Sequence, residues 1–427
     1  MYDAAMTPAA SLLRTSRLVL LLLLVVGTGC TGGIPLQSHQ VSSDISPPEV
    51  ATVAQAAVPA LPPAESTVAA GPAALSRTAE PLPRPRQPRP SRFTGPADSS
   101  YRTRVITEDA VWRGQVLIEG ALTIAPQATL IITPGTTVRF RPTPEGFAGS
   151  LLIRGRVQAT GTKDAPITFT SDELNPAPGD WQGIMVLDSS KKNLLEWCRV
   201  ETAVTGVTAA FSEVTLRQTT MSRNRTGVAV RSSSVIISGG GASDCMTGFS
   251  FRDGDADLGG IMFSGNQRGI VVNGGSLFLS ASKVTGSEGS AVEATGTRLR
   301  LEGNSFIRNG AGVTLTGCRG DLIGNRIEEN RTMGLELADS SLRITGNRIT
   351  GNGTTGVLVC SGGGTLWDNI LEGNGGGELA VTGAEDVAAP GNWWGSVDPE
   401  RIRGRIREGA GATVLFIPFL EAPPRMP

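Results

Sequence analysis

Three aspartates in the segment "RDGDADLGG" are the residues of this sequence whose types and spacing come nearest to a metal site. Asp253, Asp255 and Asp257 alternate along the chain as the first ligands of a calcium-binding loop do. Such a loop closes with a bidentate glutamate at its twelfth position, where this sequence has Ser264. We interpret the segment as a solvated turn and expect no cofactor. If the segment binds a metal, its carboxylate ligands indicate calcium.

The sequence has few of the residues that other kinds of catalytic site require. The chain of 427 residues has a single histidine, His39, which removes His-dependent triads and most zinc and copper sites from consideration. Its 38 basic and 39 acidic side chains give a net charge of −1, so no overall field attracts nucleic acid. We assign no catalytic residue from the sequence and lean towards a protein that is not an enzyme.

The first thirty residues are typical of an export signal. Arg14 and Arg17 precede the apolar run "LVLLLLLVV" (18–26), which is too short to span a bilayer as a helix. The following "GTGC" resembles the lipobox of bacterial lipoproteins, although Gly27 stands where that motif prefers leucine. The resemblance implies that Cys30 is lipidated. Because Thr31 follows it, and not aspartate, it also implies an outer-membrane destination.

Residues 31–100 have a different composition, rich in proline, alanine and serine, without an apolar period. Such a segment cannot bury enough apolar surface to fold, so the sequence predicts a disordered linker there. The folded region is then expected to be a repeat domain at 101–390 followed by a cap at 391–427.

The repeat domain is marked by a glycine that recurs every 21 or 22 residues, with Ala291 at one of the positions. Fixed periods of this length indicate stacked supersecondary units. The positions are Gly206, Gly227, Gly248, Gly269, Ala291, Gly312, Gly334 and Gly356.

The pattern within one period identifies the unit as a coil of strands. In "GVTL" the apolar Val313 and Leu315 alternate with Thr314, which is the period of a strand with one buried face. "LRIT" and the residues around "NRI" supply two further short strands, and no stretch has helical spacing over ten or more residues. Three short strands per period predict an all-β fold, a single right-handed parallel β-helix of about 22-residue coils.

Asparagines recur in two columns five residues apart and are interpreted as a structural ladder. Sharp bends between strands need positive φ, which favours Gly, Asn and Asp, so we expect the asparagines to occupy these corners and to bond between coils. Asn193, outside the columns, is expected to be exposed. The first column contains Asn304, Asn325, Asn347 and Asn369, and the second Asn309, Asn330, Asn352 and Asn374.

These repeats resemble the right-handed parallel β-helix proteins of the pectate-lyase-like superfamily. The resemblance runs from about residue 103 to 420 and includes a first-coil segment, "ALTIAPQATLIITPGTTVRF", and a closing segment, "GNWWGSVDPERIRGRIREG". It implies the fold strongly and the function weakly, since one scaffold hosts lyases, hydrolases, epimerases and non-catalytic envelope proteins.

Enzymes of this group gather carboxylates on an outer strand face and wall their groove with long insertions. Here Glu293 and Glu336 are the nearest outward carboxylates, two coils or roughly 10 Å apart. The steps from Gly206 to Gly356 never exceed 22 residues. The superfamily's hydrolase signatures are missing. Trp393 and Trp394 are expected to cover the last coil, and Cys198, Cys245, Cys318 and Cys360 to be free thiols, because their columns do not bring them within bridging distance.

Three functions remain open from the sequence. The first is a non-catalytic, lipid-anchored protein of the outer membrane, facing the periplasm or the cell surface, whose expected partners are the membrane and a polysaccharide or another envelope component. The second is a polysaccharide lyase or glycoside hydrolase whose residues converge from distant loops. The third is a periplasmic metal-delivery protein similar to the copper-binding helpers of nitrous oxide reductase, which the single histidine and few methionines disfavour.

Overall fold

The computed structural model describes residues 89–425, which form coils of three parallel strands. About 13 turns of about 22 residues stack into a right-handed parallel solenoid. Each strand pairs with the strand one coil earlier and one coil later, so the coils build three sheets, here sheets 1, 2 and 3 in chain order. The predicted fold class is confirmed.

Sheet 1 contains the strands that carry the recurring glycine. Its strands are Ser150–Ile153, Ile184–Leu187, Thr205–Ala210, Thr226–Arg231, Thr247–Arg252, Arg268–Asn273, Ser290–Thr295, Ala311–Thr316, Leu335–Ala338, Thr355–Val359, Gly377–Val381 and Ile406–Arg407. Sheet 2 follows it in each coil. Its strands are Ala110–Trp112, Thr129–Ile132, Arg156–Thr160, Asn193–Glu196, Asp255–Gly259, Ser276–Ser280, Arg298–Glu302, Arg319–Ile323, Ser340–Thr345, Gly362–Trp367, Val387–Ala388 and Val414–Leu415.

Sheet 3 completes each coil with mostly short strands. Its strands are Thr137–Arg141, Ile167–Ser171, Cys198–Glu201, Met262–Ser264, Lys283–Thr285, Ser305–Ile307, Arg326–Glu328, Arg348–Thr350 and Ile370–Glu372. Four longer strands each serve two sheets. Ser99–Ile106 and Gln115–Ile124 belong to sheets 3 and 1, and Glu213–Ser222 and Ser234–Ser243 to sheets 2 and 3.

The core is a column of apolar side chains between the three sheets. Val313 and Leu315 point inward from one strand and are fully buried, whereas Thr314 between them is half-buried. Larger rings fill the wider coils; Phe140 and Trp181, for example, stack with their centroids 3.8 Å apart. Because apolar and polar residues alternate in the sequence, each strand has one face in the core and one face towards solvent.

Asparagine side chains line two inner corners and bond from coil to coil. The Asn347 carboxamide donates to Leu322 O at 2.8 Å and to Asn369 Oδ1 at 3.0 Å. Its Oδ1 accepts from the backbone and side-chain nitrogens of Asn325, each at 2.9 Å. All eight asparagines of the two columns are at most 1% exposed. They satisfy buried backbone groups at the bends.

The asparagines do not themselves have positive φ, contrary to the expectation. The left-handed residue is the one immediately before each asparagine, as in Gly346 (φ 64°) before Asn347 and Asp368 (φ 56°) before Asn369. This preceding residue turns the chain, so the asparagine can direct its side chain inward. Asn193 is also corrected: it is 1% exposed, and its Oδ1 accepts from Val157 N at 2.9 Å.

The residues before the first strand contact the coils earlier than the predicted linker boundary. The backbone of Ser91 forms an isolated antiparallel β-bridge with Glu173, and Arg89 forms an ion pair with Asp180 at 3.1 Å. The Phe93 ring lies beneath the guanidinium groups of Arg92 and Arg139, 5.1 and 4.7 Å from its centroid. Ion pairs hold these residues against the coils despite their low apolar content, which the composition argument did not consider.

The C-terminal residues cover the last coil. Trp394 is 3% exposed and packs edge-on against Phe416, with ring centroids 6.3 Å apart. The short helix Pro399–Arg403 begins at Asp398, whose side chain accepts from Glu400 N. Within residues 89–425, no helix has the length and apolar content to cross a membrane. The apolar run at 18–26 lies outside that range.

Candidate functional site: a groove on the outer face of sheet 2

The aspartates singled out in the sequence lie on the outside of sheet 2. Asp255 and Asp257 point outward from the strand Asp255–Gly259, while Ala256 points into the core. Asp253 occupies the corner before this strand with φ 51°. Among residues 89–425, no three His, Cys, Asp or Glu side chains are grouped so that they could hold a metal ion. The three aspartates are therefore not arranged as a ligand set.

Strand pairing brings Asp255 and Asp257 beside residues that the sequence analysis did not select. Asp257 is in register with Phe278 of the next coil, and Phe278 with Arg300 of the coil after it. In the neighbouring outward column, the register runs from Asp255 through Ser276 to Arg298 and then Arg319. These coils share a shallow groove of about 750 Å³.

The floor of the groove is apolar and its two ends carry opposite charge. Phe278 is 37% exposed and Ile236 50% exposed. The acidic end is formed by Asp255 and Asp257, and the basic end by Arg298, Arg300 and Arg319. Asp321 also lines the basic end, but its carboxylate is paired with Arg343 at 3.0 Å. An apolar surface with convergent polar groups is the usual character of a binding site.

Several of these charges already have partners. Asp255 Oδ1 accepts from the Ser276 hydroxyl at 2.5 Å, and Arg300 pairs with Glu302 at 2.8 Å. Asp257, Arg298 and Arg319, in contrast, form no side-chain hydrogen bond or ion pair within the described part of the chain. Arg298 and Arg319 are directly in register, so two like charges face each other without a carboxylate between them.

The outward carboxylates of sheet 1 do not form a pair. Glu293 is in register with Thr314, and Thr314 with Glu336, so the two glutamates are two strands apart, about 10 Å by strand spacing. The asparagine columns, being buried, are not a surface that a ligand can reach. Cys30 lies outside the described residues.

The described cysteines are all free, and burial makes three of them poor nucleophiles. Burial raises the pKa of the Cys198 thiol to about 12 and that of Cys245 to about 11. Burial also raises the pKa of Cys318. Since the thiolate is the reactive form, these three side chains act as small buried residues.

The basic end of the groove was not predicted, because the outward positions of sheet 2 were considered only at the three aspartates and not in the coils that follow them. The signal was available: "RLRLE" alternates arginine with leucine, and 21 residues later "RGDLI" begins with arginine again. Applying the same period to sheet 2 would have placed Arg298 beside Arg319.

Comparisons with known proteins identify the scaffold. A family model described as "Right handed beta helix region" matches residues 247–393, and one described as "Pectate-lyase like beta helix domain" matches residues 104–216. Together they span more than half of the chain. A comparison with curated proteins found no match.

Several solved structures are similar at low sequence identity. The periplasmic alginate epimerase AlgG is 14% identical, with 70% of this chain and 78% of that chain covered and a TM-score of 0.39. The A-module of the Azotobacter vinelandii mannuronan C-5 epimerase AlgE6 is 13% identical, with coverages of 73% and 91% and a TM-score of 0.32. An alginate lyase from Paenibacillus sp. str. FPU-7 is 10% identical, with coverages of 69% and 93% and a TM-score of 0.25.

The assignment rests on the two family models and on the strand pairing. The models match the coils at both ends of the solenoid, and every pairing between its strands is parallel and one coil apart. The chain therefore belongs to the right-handed parallel β-helix proteins of the pectate-lyase-like superfamily.

Proposed function

We propose that this protein is a lipid-anchored envelope protein that binds a polysaccharide without cleaving it, through the groove on sheet 2. The observation that carries the proposal is Phe278, an exposed ring at the centre of that groove with charged side chains on both sides. A sugar ring can stack on such a face while its hydroxyl groups bond to the flanking carboxylates and guanidinium groups.

The absence of catalysis is proposed from the described outer faces of the coils. On sheet 1, Glu293 and Glu336 are too far apart for one metal ion and are separated by Thr314. The spacing of the coils between Gly206 and Gly356 leaves no room for insertions that would enclose a substrate. An open groove of this kind suits binding more than the exclusion of water that catalysis requires.

A glycan array tests polysaccharide binding. We expect the full chain, purified in detergent, to bind a subset of glycans and Phe278→Ala to lose most of that binding. Phe147→Ala, which removes a ring that is 71% exposed elsewhere on the surface, is the matched control and should bind as the wild type does. Equal binding by both variants would remove the groove from the proposal.

The lipid anchor is proposed from the sequence around Cys30. In a bacterial host, an alkyne palmitate should label the wild type and not Cys30→Ser, and the variant should leave the membrane fraction. One acyl chain alone binds a membrane only marginally, so the proposed anchor depends on the several chains of a mature lipoprotein. Equal labelling of both proteins would rule the anchor out.

A calcium-dependent polysaccharide lyase is the second candidate. One observation favours it: Asp255 and Asp257 share a groove with three arginines, and a lyase uses carboxylates to bind a metal and cations to stabilise the negative charge that develops as the proton is removed. Cleavage of pectate or alginate would release unsaturated ends that absorb in the ultraviolet. A calcium-dependent rise in that absorbance, lost in Asp255→Ala, would establish the lyase in place of the binding protein.

A further inference from the structure

The unpaired charges of the sheet 2 groove are of opposite sign and lie on opposite sides of one aromatic ring. Asp257 is one strand before Phe278, and Arg298 is one strand after it, in the adjacent outward column. Phe278 lies between the two, so the charges do not neutralise each other. Asp257, Arg298 and Phe278 are all exposed.

Strand spacing sets the distance between the two ends. Asp257 and Arg298 are separated by two strand intervals, about 10 Å, and by two residues along the strand, about 7 Å, so the two positions are about 12 Å apart. Arg319 lies one interval farther on and adds a second unpaired guanidinium group to the basic end. A uniformly anionic chain lying along the groove would be attracted by Arg298 and Arg319 but repelled at Asp257. A uniformly cationic chain would meet the reverse arrangement.

We propose that the groove binds a zwitterionic saccharide, with an ammonium group at Asp257 and a carboxylate at Arg298 and Arg319. The sugar body between these groups stacks on Phe278. The inference rests on the proposed polysaccharide-binding function and defines its ligand class by charge complementarity along the groove. Glycans that alternate uronic acids with amino sugars bearing a free amine have this arrangement.

Three oligosaccharides of equal length separate the charges. The first alternates glucosamine bearing a free amine with glucuronic acid, the second is its N-acetylated form, which is only anionic, and the third is a chitosan oligosaccharide, which is only cationic. We expect the full chain to bind the first about tenfold more tightly than either of the others in calorimetry, since each charged contact contributes a charge-assisted hydrogen bond.

Substitutions that remove charge assign each charge to its end of the groove. Asp257→Asn should remove the preference for the free amine and leave the preference for the carboxylate, and Arg298→Gln with Arg319→Gln should do the reverse. Asp188→Asn and Arg231→Gln are the matched controls, because both side chains are exposed outside the groove. Circular dichroism of each variant shows whether it is folded.

The remaining outcomes contradict the inference in different ways. Equal affinity for the free-amine and N-acetylated glycans overturns the zwitterionic ligand but leaves polysaccharide binding intact. Tighter binding of the anionic glycan in calcium replaces it with a metal-bridged polyanion. Tighter binding of an extended peptide of alternating lysine and glutamate replaces the saccharide with a protein partner. No binding to any glycan, including a neutral one, removes the proposed function as well.

Discussion

At the scale of single residues, the fold depends on polar side chains that are completely buried. The Asn347 side chain both donates and accepts across the coils, with four hydrogen bonds of 3.0 Å or less to Asn325, Leu322 and Asn369. A buried amide that loses such partners is costly, because the backbone groups that it satisfies remain without a substitute. The ladder is therefore part of the core although it is polar.

Replacing one rung of the ladder should destabilise the protein strongly. Asn347→Val leaves the Asn325 nitrogen and the Leu322 carbonyl unsatisfied, and we expect a loss of about 3 kcal/mol in the free energy of unfolding. Asn273→Val, at an exposed end of a sheet 1 strand, should change it by less than about 0.5 kcal/mol. Denaturant melts measure both, and equal values would mean that the ladder bonds contribute little.

Substitutions at the corner residues before the asparagines should change stability according to how well each residue type adopts positive φ. Gly346 has φ 64°, and a methyl group added there would meet only Gly324 N, at 3.8 Å, so Gly346→Ala should cost about 1 kcal/mol through backbone strain alone. Gly346→Asp should cost less, because Asp368 holds the same position one coil later. Gly363→Ala, with no neighbour within 4 Å and no positive φ, is the control and should be neutral or stabilising. Equal costs for all three substitutions would contradict the role of positive φ at this corner.

At the scale of elements, the segment before the first strand is held by charge. Arg92 pairs with Glu201 at 3.1 Å, and Arg223 pairs with the other oxygen of that carboxylate at 3.1 Å. Partial burial opposes ionisation of Glu201, but hydrogen bonds from Thr170, Arg92 and Arg223 outweigh it and lower its pKa. The contact that joins this segment to the coils is thus linked to proton binding.

Acid should weaken this contact. Because the folded-state pKa of Glu201 lies below the unfolded one, its contribution to stability is present above the unfolded pKa of about 4 and is lost as the pH falls through the folded value. We expect Glu201→Gln to be less stable than the wild type at pH 7 and to lose less free energy of unfolding between pH 7 and pH 3. Glu302→Gln, which breaks an exposed pair with Arg300, should follow the wild type.

The repeating elements were predictable from the sequence because each coil obeys the same constraint. Val313 and Leu315 must point inward in every period, so alternation and spacing identified the strands and their stacking. Outward residues face no such constraint. The groove around Phe278 appears only when the outward positions of sheet 2 in successive coils are compared, and the contact of Arg89 with Asp180 joins residues 91 positions apart. Neither the groove nor the Arg89–Asp180 ion pair is marked by a pattern within one short segment of the sequence.

At the scale of the whole folded unit, the strands of each coil pair only with those of the neighbouring coils, so stability is close to a sum of coils and interfaces. By strand spacing, about 13 turns extend roughly 60 Å. The ends are then the places where unfolding begins. At the C-terminal end, Glu378 is 2% exposed, pairs with Arg405 at 2.7 Å and accepts from the last asparagine of one column, Asn374.

Loosening the cap should open the solenoid from that end. Trp394→Ala removes a buried ring next to Phe416 and should cost about 3 kcal/mol. By hydrogen exchange, we expect Gly377–Val381 and Thr355–Val359 to lose protection before Thr137–Arg141 does. Phe147→Ala should leave all three segments unchanged. Uniform loss of protection along the chain would show that the coils unfold as one cooperative unit.

The asparagine ladder also affects where the protein can lose side-chain amides by deamidation over time. Asn309, Asn352 and Asn374 are each followed by glycine, the sequence in which asparagine most readily cyclises and loses ammonia. That reaction needs a mobile side chain, and the ladder holds all three amides in hydrogen bonds. Deamidation at these sites is therefore confined to chains that have opened. Once it occurs, the new carboxylate can no longer donate to the next coil. The accumulated deamidation at these three positions thus records how often the coils have come apart.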